Sequence, residues 1–279
     1  MGPFAYDFMQ RALIAAVLVG VTAPAVGTYL VQRRLSLIGD GIGHIALTGV
    51  ALGFLLGTAP VLTAVVVATL GAIAVELIMA HGRARGDVAL ALLFYGGIAA
   101  GVLLISLSPD GNSSTLLAYL FGSLTSVSAA DVAVIAVLTV VVLGVTLGLR
   151  RQLFAVSSDP EYARVAGLKV QLLTITLAVL TAVTVTMAMR VVGVLMISAL
   201  MVVPVATAEQ LATSFKATWF GAVGIGVFVS IVGLVGSFYL DVPSGPTIVV
   251  SAIALFVLIA VVTAGRRVIR RRVSSVSTT

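Results

Sequence analysis

Stretches of about 20 consecutive apolar residues recur along nearly the whole chain, and this restricts the fold more than any motif does. A helix of that length covers roughly 30 Å, the thickness of a bilayer's hydrocarbon core, and satisfies its own backbone polar groups there. The runs are too many and too long for the core helices of a water-soluble domain or for a cleaved signal segment. The first, from about Leu13 to Val31, has Arg11 as its basic leader and no small-residue cleavage site, so it reads as a retained span. The expected fold class is all-α, a polytopic transmembrane helical bundle.

Nine spans are predicted, over residues 12–31, 38–57, 61–80, 88–107, 131–149, 170–188, 191–208, 218–239 and 246–264. Residues 114–127 are apolar but too short to cross at about 1.5 Å per residue, and read as a re-entrant or interfacial helix. If they cross, the count becomes eight or ten. Small residues at close spacings, such as Gly49 with Gly53 and Gly221 with Gly224, predict tight helix packing.

Orientation follows Lys and Arg in the short loops. With Arg33 and Arg34 inside, alternation puts fourteen of the sixteen basic residues inside, leaving only Arg11 and Arg190 outside. The predicted arrangement is therefore an outside amino terminus and a cytoplasmic carboxyl terminus. One transmembrane domain, residues 1–265, is followed by a basic cytoplasmic tail, residues 266–279. A net charge of +6 held in membrane loops does not point to nucleic acid, and no such partner is expected.

Of the chain, 60% is hydrophobic and 9% charged, so each charge inside a span stands out. Asp40 and His44 lie one helical turn apart in SLIGDGIGHIALTGVALGFLLG, on one face of the second span. A charge at membrane depth costs about 2.5–3.5 kcal/mol on insertion scales and marks a functional site by default. With no cysteine anywhere, a metal would rely on imidazole and oxygen ligands, and an Asp with a His suits a first-row divalent ion in transit. The competing reading makes Asp40 a helix cap and leaves His44 hydrogen-bonded to a neighbouring helix. Glu76, near the cytoplasmic end of the third span, reaches either the same pathway or an interfacial partner.

Other polar residues invite structural readings. His81 is expected in a solvated loop, Asp87 as a cap of the fourth span, and Arg190 as a headgroup anchor. Pro204 interrupts the ladder of the seventh span, a local break suited to a moving helix, and Glu209 near that span's end calls for a cation, Lys216 or one on a partner. In VSSDPEYARVAGLKV, Asp159 is a cap, Pro160 the first helical residue, Glu161 and Arg164 follow, and Gly167 is the stop. This short cytoplasmic helix is either a partner contact or a connector.

Three motifs in order resemble the membrane subunit of the metal-uptake ABC permeases, which serve zinc and manganese importers: GDGIGHIALTGVALG, AYLFGSL and MRVVGVLMISALMVVPVATA. The resemblance covers nearly the whole chain. It implies a transport subunit and not an enzyme, in the bacterial-type cell membrane. Two copies would assemble with a cytoplasmic ATPase dimer and an external metal-binding protein. By the same resemblance Asp40 and His44 take the metal-pathway positions, and Asp159 to Gly167 that of the helix docking into the ATPase. No cofactor is expected to be held permanently; Zn2+ or Mn2+ would be cargo. Ser123 stands where zinc-type relatives often carry Asp, and Thr48 where manganese-type relatives often carry Pro; the latter favours zinc. The chain has no GxxxxGK[ST] loop, so a partner or an ion gradient must supply energy. The alternative to an ATP-driven importer is a secondary proton-coupled divalent cation transporter.

Overall fold

The computed structural model describes residues 6–80, 86–108, 113–123 and 127–276. The described residues form twelve helices. Nine of them fall on the nine predicted segments: α1 (Asp7–Gln32), α2 (Ile38–Leu55), α3 (Pro60–Ala80), α4 (Gly86–Leu107), α6 (Ala129–Gly148), α9 (Val170–Ala188), α10 (Val194–Glu209), α11 (Phe215–Leu240) and α12 (Ser244–Val276). The remaining three are short: α5 (Ser113–Phe121), α7 (Arg150–Ser158) and α8 (Pro160–Val165). Seven of the described helices are long and apolar enough to cross a membrane; α10 and the Ala91–Leu107 stretch of α4 are shorter apolar helices.

At nine residues, α5 covers only about 14 Å and fits the predicted non-spanning segment. The polar stretch after residue 149 differs from expectation. It holds two helices where one was predicted, because Leu153 and Val156 give α7 an apolar face that packs inward. At the carboxyl end, α12 continues as helix to Val276, so the basic tail begins inside a helix and not after one.

The helices α1 and α2 form the interior. α1 packs on α6, α9, α10 and α11, and α2 on α3, α4, α9 and α10, so α9 and α10 bridge the two groups. Side-chain hydrophobicity cannot drive this sorting, because lipid is as apolar as leucine; close packing and a few hydrogen bonds must. Gly49 and Gly53 face α3 so closely that an added Cβ at either would meet Ala64, Thr63 or Pro60. A Cβ added at Gly221 would lie 3.3 Å from the Ala208 side chain, whereas one added at Gly224 would meet open space. A Cβ on Gly226 of α11 would fall on the Gly20 carbonyl and the Pro24 ring of α1. Pro24 has no N–H to offer that carbonyl, so α11 closes over an acceptor its own helix leaves without a donor. The Trp219 indole N–H adds a bond to the Ala25 carbonyl at 3.1 Å.

Alternation separates two ends. One carries Arg33, Glu76, α7 and α8; the other carries α5, Asp131, Arg190 and the turns before α10 and α12. At this second end Gly122 (φ +76°) and Gly193 (φ +88°) lie against each other's chains, and only glycine adopts such backbone without cost while allowing that approach. The AYLFGSL and MRVVGV stretches, about 70 residues apart in sequence, thus form one contact.

Gly226→Val should force α1 and α11 apart and cost about 1–3 kcal/mol. Gly224→Val, with space around it, should cost far less. Apparent melting temperatures of the two variants in detergent provide the check, and equal losses would contradict the packing described.

Candidate functional site

The α1–α2 connection is a tight turn with Arg34 in the left-handed region (φ +58°), and α2 starts at Ile38. Asp40 sits in the first turn of α2 and is half-buried, but Leu37 is the N-cap and no side chain caps the helix. The capping reading of Asp40 is therefore not realised. His44, one turn deeper, is only 2% exposed. Its ring lies edge-on to Phe94 of α4, with centroids 4.3 Å apart, and its buried Nδ1 has no hydrogen-bond partner among the described residues. The imidazole is packed in place without being tied to a neighbouring helix by a hydrogen bond.

Two helices wall this turn. On one side, Gly97 of α4 approaches the His44 carbonyl so closely that a Cβ would overlap it, and the Thr48 hydroxyl donates to the Gly97 carbonyl at 2.8 Å. On the other, Val194 and Ser198 of α10 face Gly43 and Gly39. The Ser198 Oγ is buried and, among the described residues, unpartnered. A buried polar atom left unpaired costs about 1–3 kcal/mol, so two of them along one turn call for an explanation. Ser198 was not anticipated from sequence, although a single hydroxyl in the apolar run VLMISALMVV is a detectable signal. Among the described residues no group of three or more His, Asp or Glu side chains converges. Asp40 and His44 are thus joined by no third such side chain among the described residues.

Glu76 is buried in α3, where its carboxylate pairs with the Arg33 guanidinium at 3.1 Å. Its other oxygen is buried and, among the described residues, unpaired. The structure therefore joins Glu76 to the C-cap of α1, and among the described residues it does not group with Asp40 and His44.

At the same end, Asp159 Oδ1 accepts from the Glu161 and Tyr162 backbone N–H groups at 3.0 and 2.9 Å and caps α8, with Pro160 in its first turn. Gly167 (φ +80°) donates to the Arg164 carbonyl and Leu168 to that of Ala163, a Schellman stop. The helix is fixed at both ends, buries Ala163, and leaves Tyr162 69% and Val165 89% exposed. Upstream, Ser158 at the end of α7 accepts from the Gln32 side chain at 2.7 Å, joining this region to the end of α1.

At the opposite end, Arg190 is an ion-pair partner and not a free headgroup anchor. It donates to Asp131 at 2.6 Å and stacks over Tyr119 at 5.7 Å. Asp131 also completes a capping box with Ser128 at the start of α6, and the Arg190 carbonyl accepts from the Ser123 N–H. Pro204 is buried, and α10 runs through it unbroken, so the expected local break is at most one missing ladder bond. Glu209 is exposed with no ion pair among the described residues, so Lys216 does not meet the expectation of a cation. His81 and the side chain of Asp87 lie outside the described residues.

Residues 5–263 match the model of the ABC 3 transport family. The chain is 32% identical over 268 residues to the manganese import system permease protein ScaB of Streptococcus gordonii, covering 96% of each. It is 33% identical to the chelated iron transport system membrane protein YfeD of Yersinia pestis, over 93% of this chain and 86% of that one. Among solved structures, PsaBC from Streptococcus pneumoniae in complex with Fab superposes with a TM-score of 0.83 at 32% identity, covering 91% of each chain.

Removing Arg33 alone would strand the buried Glu76 carboxylate. Arg33→Met should cost about 3–5 kcal/mol, and adding Glu76→Leu should recover most of it. A double-mutant cycle on apparent melting temperature measures the difference; additive losses would show that the pair does not interact.

Proposed function

Because the chain belongs to the ABC 3 transport family, a family of transport subunits and not enzymes, we propose that it is the permease of an ATP-driven importer of a divalent transition metal. One observation carries the choice of cargo: a carboxylate and an imidazole sit one turn apart on a buried helix, with His44 Nδ1 unpartnered. Neutral imidazole and carboxylate oxygen suit zinc and manganese alike. The names of the similar permeases weigh toward manganese, and Thr48 weighs toward zinc. In either case the ion is cargo. Two protein ligands offset part of its dehydration cost without holding it. Ser198 Oγ, facing the same turn, is a candidate third ligand.

Under the nine-span alternation fourteen of the sixteen basic residues fall on the side of the segment that forms α7 and α8, which supports placing that end and the carboxyl terminus in the cytoplasm and the amino terminus outside. There α8 offers Tyr162 and Val165 to an ATPase partner, with Asp159, Pro160, Glu161, Arg164 and Gly167 forming or fixing it. A displacement of α8 has a short physical route to the site. It passes through α7, across the Ser158–Gln32 bond to the end of α1, and through the Arg33–Arg34 turn into the first turn of α2, where Asp40 sits. Exposed Glu209 lies at the same end, available to a cation on a partner. Two such permeases, an ATPase dimer and an external metal-binding protein complete the proposed assembly.

Asp40→Ala and His44→Ala should each reach the membrane yet fail to restore metal content and growth under chelation in a strain lacking this chain. Full rescue by both would refute the pathway, and uptake by the purified chain alone in liposomes under a proton gradient would refute the ATP-driven reading. Replacing Gly167 by Trp loses the positive φ that ends α8. It should reduce metal transport per ATP hydrolysed by about tenfold, while unchanged coupling would remove the docking role.

A further inference from the structure

Arg150, Arg151 and Lys216 line one hollow of about 230 Å³, together with Phe154 and Phe215. Three cations converge there, and among the described residues no carboxylate pairs with any of them. Lys216 and Phe215 also belong to the first turn of α11, the positive end of that helix's dipole. The two aromatic rings pack at 4.6 Å, and Tyr29 lies behind them, its ring 5.4 Å from Phe215 and its buried hydroxyl unpartnered.

The depth of the hollow selects the ligand. Arg150 comes two residues after the end of α6, and Lys216 is the second residue of α11, so both stand where apolar spans meet water. The short helix that Arg150 begins, α7, turns Leu153 and Val156 inward. Phosphate groups of lipids occupy this level, and basic pockets between helix ends at the cytoplasmic face are suited to anionic headgroups. The exposed apolar face of α8, which the functional reading gives to the ATPase, consists of different residues.

We propose that this hollow binds the phosphate of an anionic phospholipid headgroup, with Arg150, Arg151 and Lys216 as its counter-ions and Phe154 and Phe215 against the glycerol and upper acyl region. The inference rests on the functional reading only for which face of the membrane is concerned.

Titration of the purified full chain with phosphatidylglycerol, phosphatidylcholine or inorganic phosphate, followed by native mass spectrometry, tests it. The wild type should bind one phosphatidylglycerol well below the concentration at which phosphatidylcholine binds. The triple variant Arg150→Gln, Arg151→Gln, Lys216→Gln should lose affinity by about a hundredfold, roughly fivefold per cation. The charge-keeping variant Arg150→Lys, Arg151→Lys should retain most of it, which separates lost charge from misfolding. Unchanged phosphatidylglycerol binding in the triple variant would overturn the site. So would displacement of the lipid by equimolar inorganic phosphate, or loss of a co-purifying ATPase with lipid binding intact. Failure of Asp40→Ala to impair metal uptake would strike the transport reading and leave this binding measurement unaffected.

Discussion

Hydrocarbon offers no hydrogen-bond partner, and the whole architecture follows from that. Each backbone N–H and C=O must be satisfied within its own segment, so the chain crosses as helices, and interruptions are confined to the two ends or covered by protein. Pro24 is the clearest case inside the bundle. It removes one donor from α1, and Gly226 and Trp219 of α11 bring a close contact and an indole N–H to the carbonyls of that same stretch. The position of α11 is thereby linked to a defect in α1.

The same constraint explains how polar side chains are distributed. Ion pairs stand near the ends, Arg33 with Glu76 at one and Arg190 with Asp131 at the other, where water and headgroups reduce the cost of charge. Threonines inside the spans return their hydroxyls to carbonyls of their own helix, as Thr22, Thr28, Thr181 and Thr184 do. His44 Nδ1 and Ser198 Oγ depart from this pattern, being buried without a partner among the described residues, and so do the mid-span hydroxyls of Thr139 and Ser230.

How readily each feature could be read from sequence depended on its range. Helix existence was readable because a 20-residue apolar run has one solution in a bilayer, and the caps of α8 were readable because Asp-Pro at the start and Gly at the stop act within a turn. The ends of α7, the pairing of Arg190 with Asp131 and the engagement of Glu76 were not, since each depends on which helices become neighbours. Gly224 illustrates the same limit: its spacing from Gly221 suggested an interface, and the fold left it facing nothing.

The sequence by itself determined a helical membrane protein, the approximate positions of its helices, the side on which its cations gather, and a His and an Asp on one face of α2. These follow from transfer free energies and local geometry, which act residue by residue. Only the tertiary structure decided that α4 and α10 close around that face, that Ser198 joins it while Glu76 is held elsewhere, and that two glycine motifs about 70 residues apart meet at one end. Lipid is as apolar as the helices, so hydrophobicity cannot choose among helix partners. The choice lies in the fit of small residues and a few hydrogen bonds across interfaces that no single segment contains.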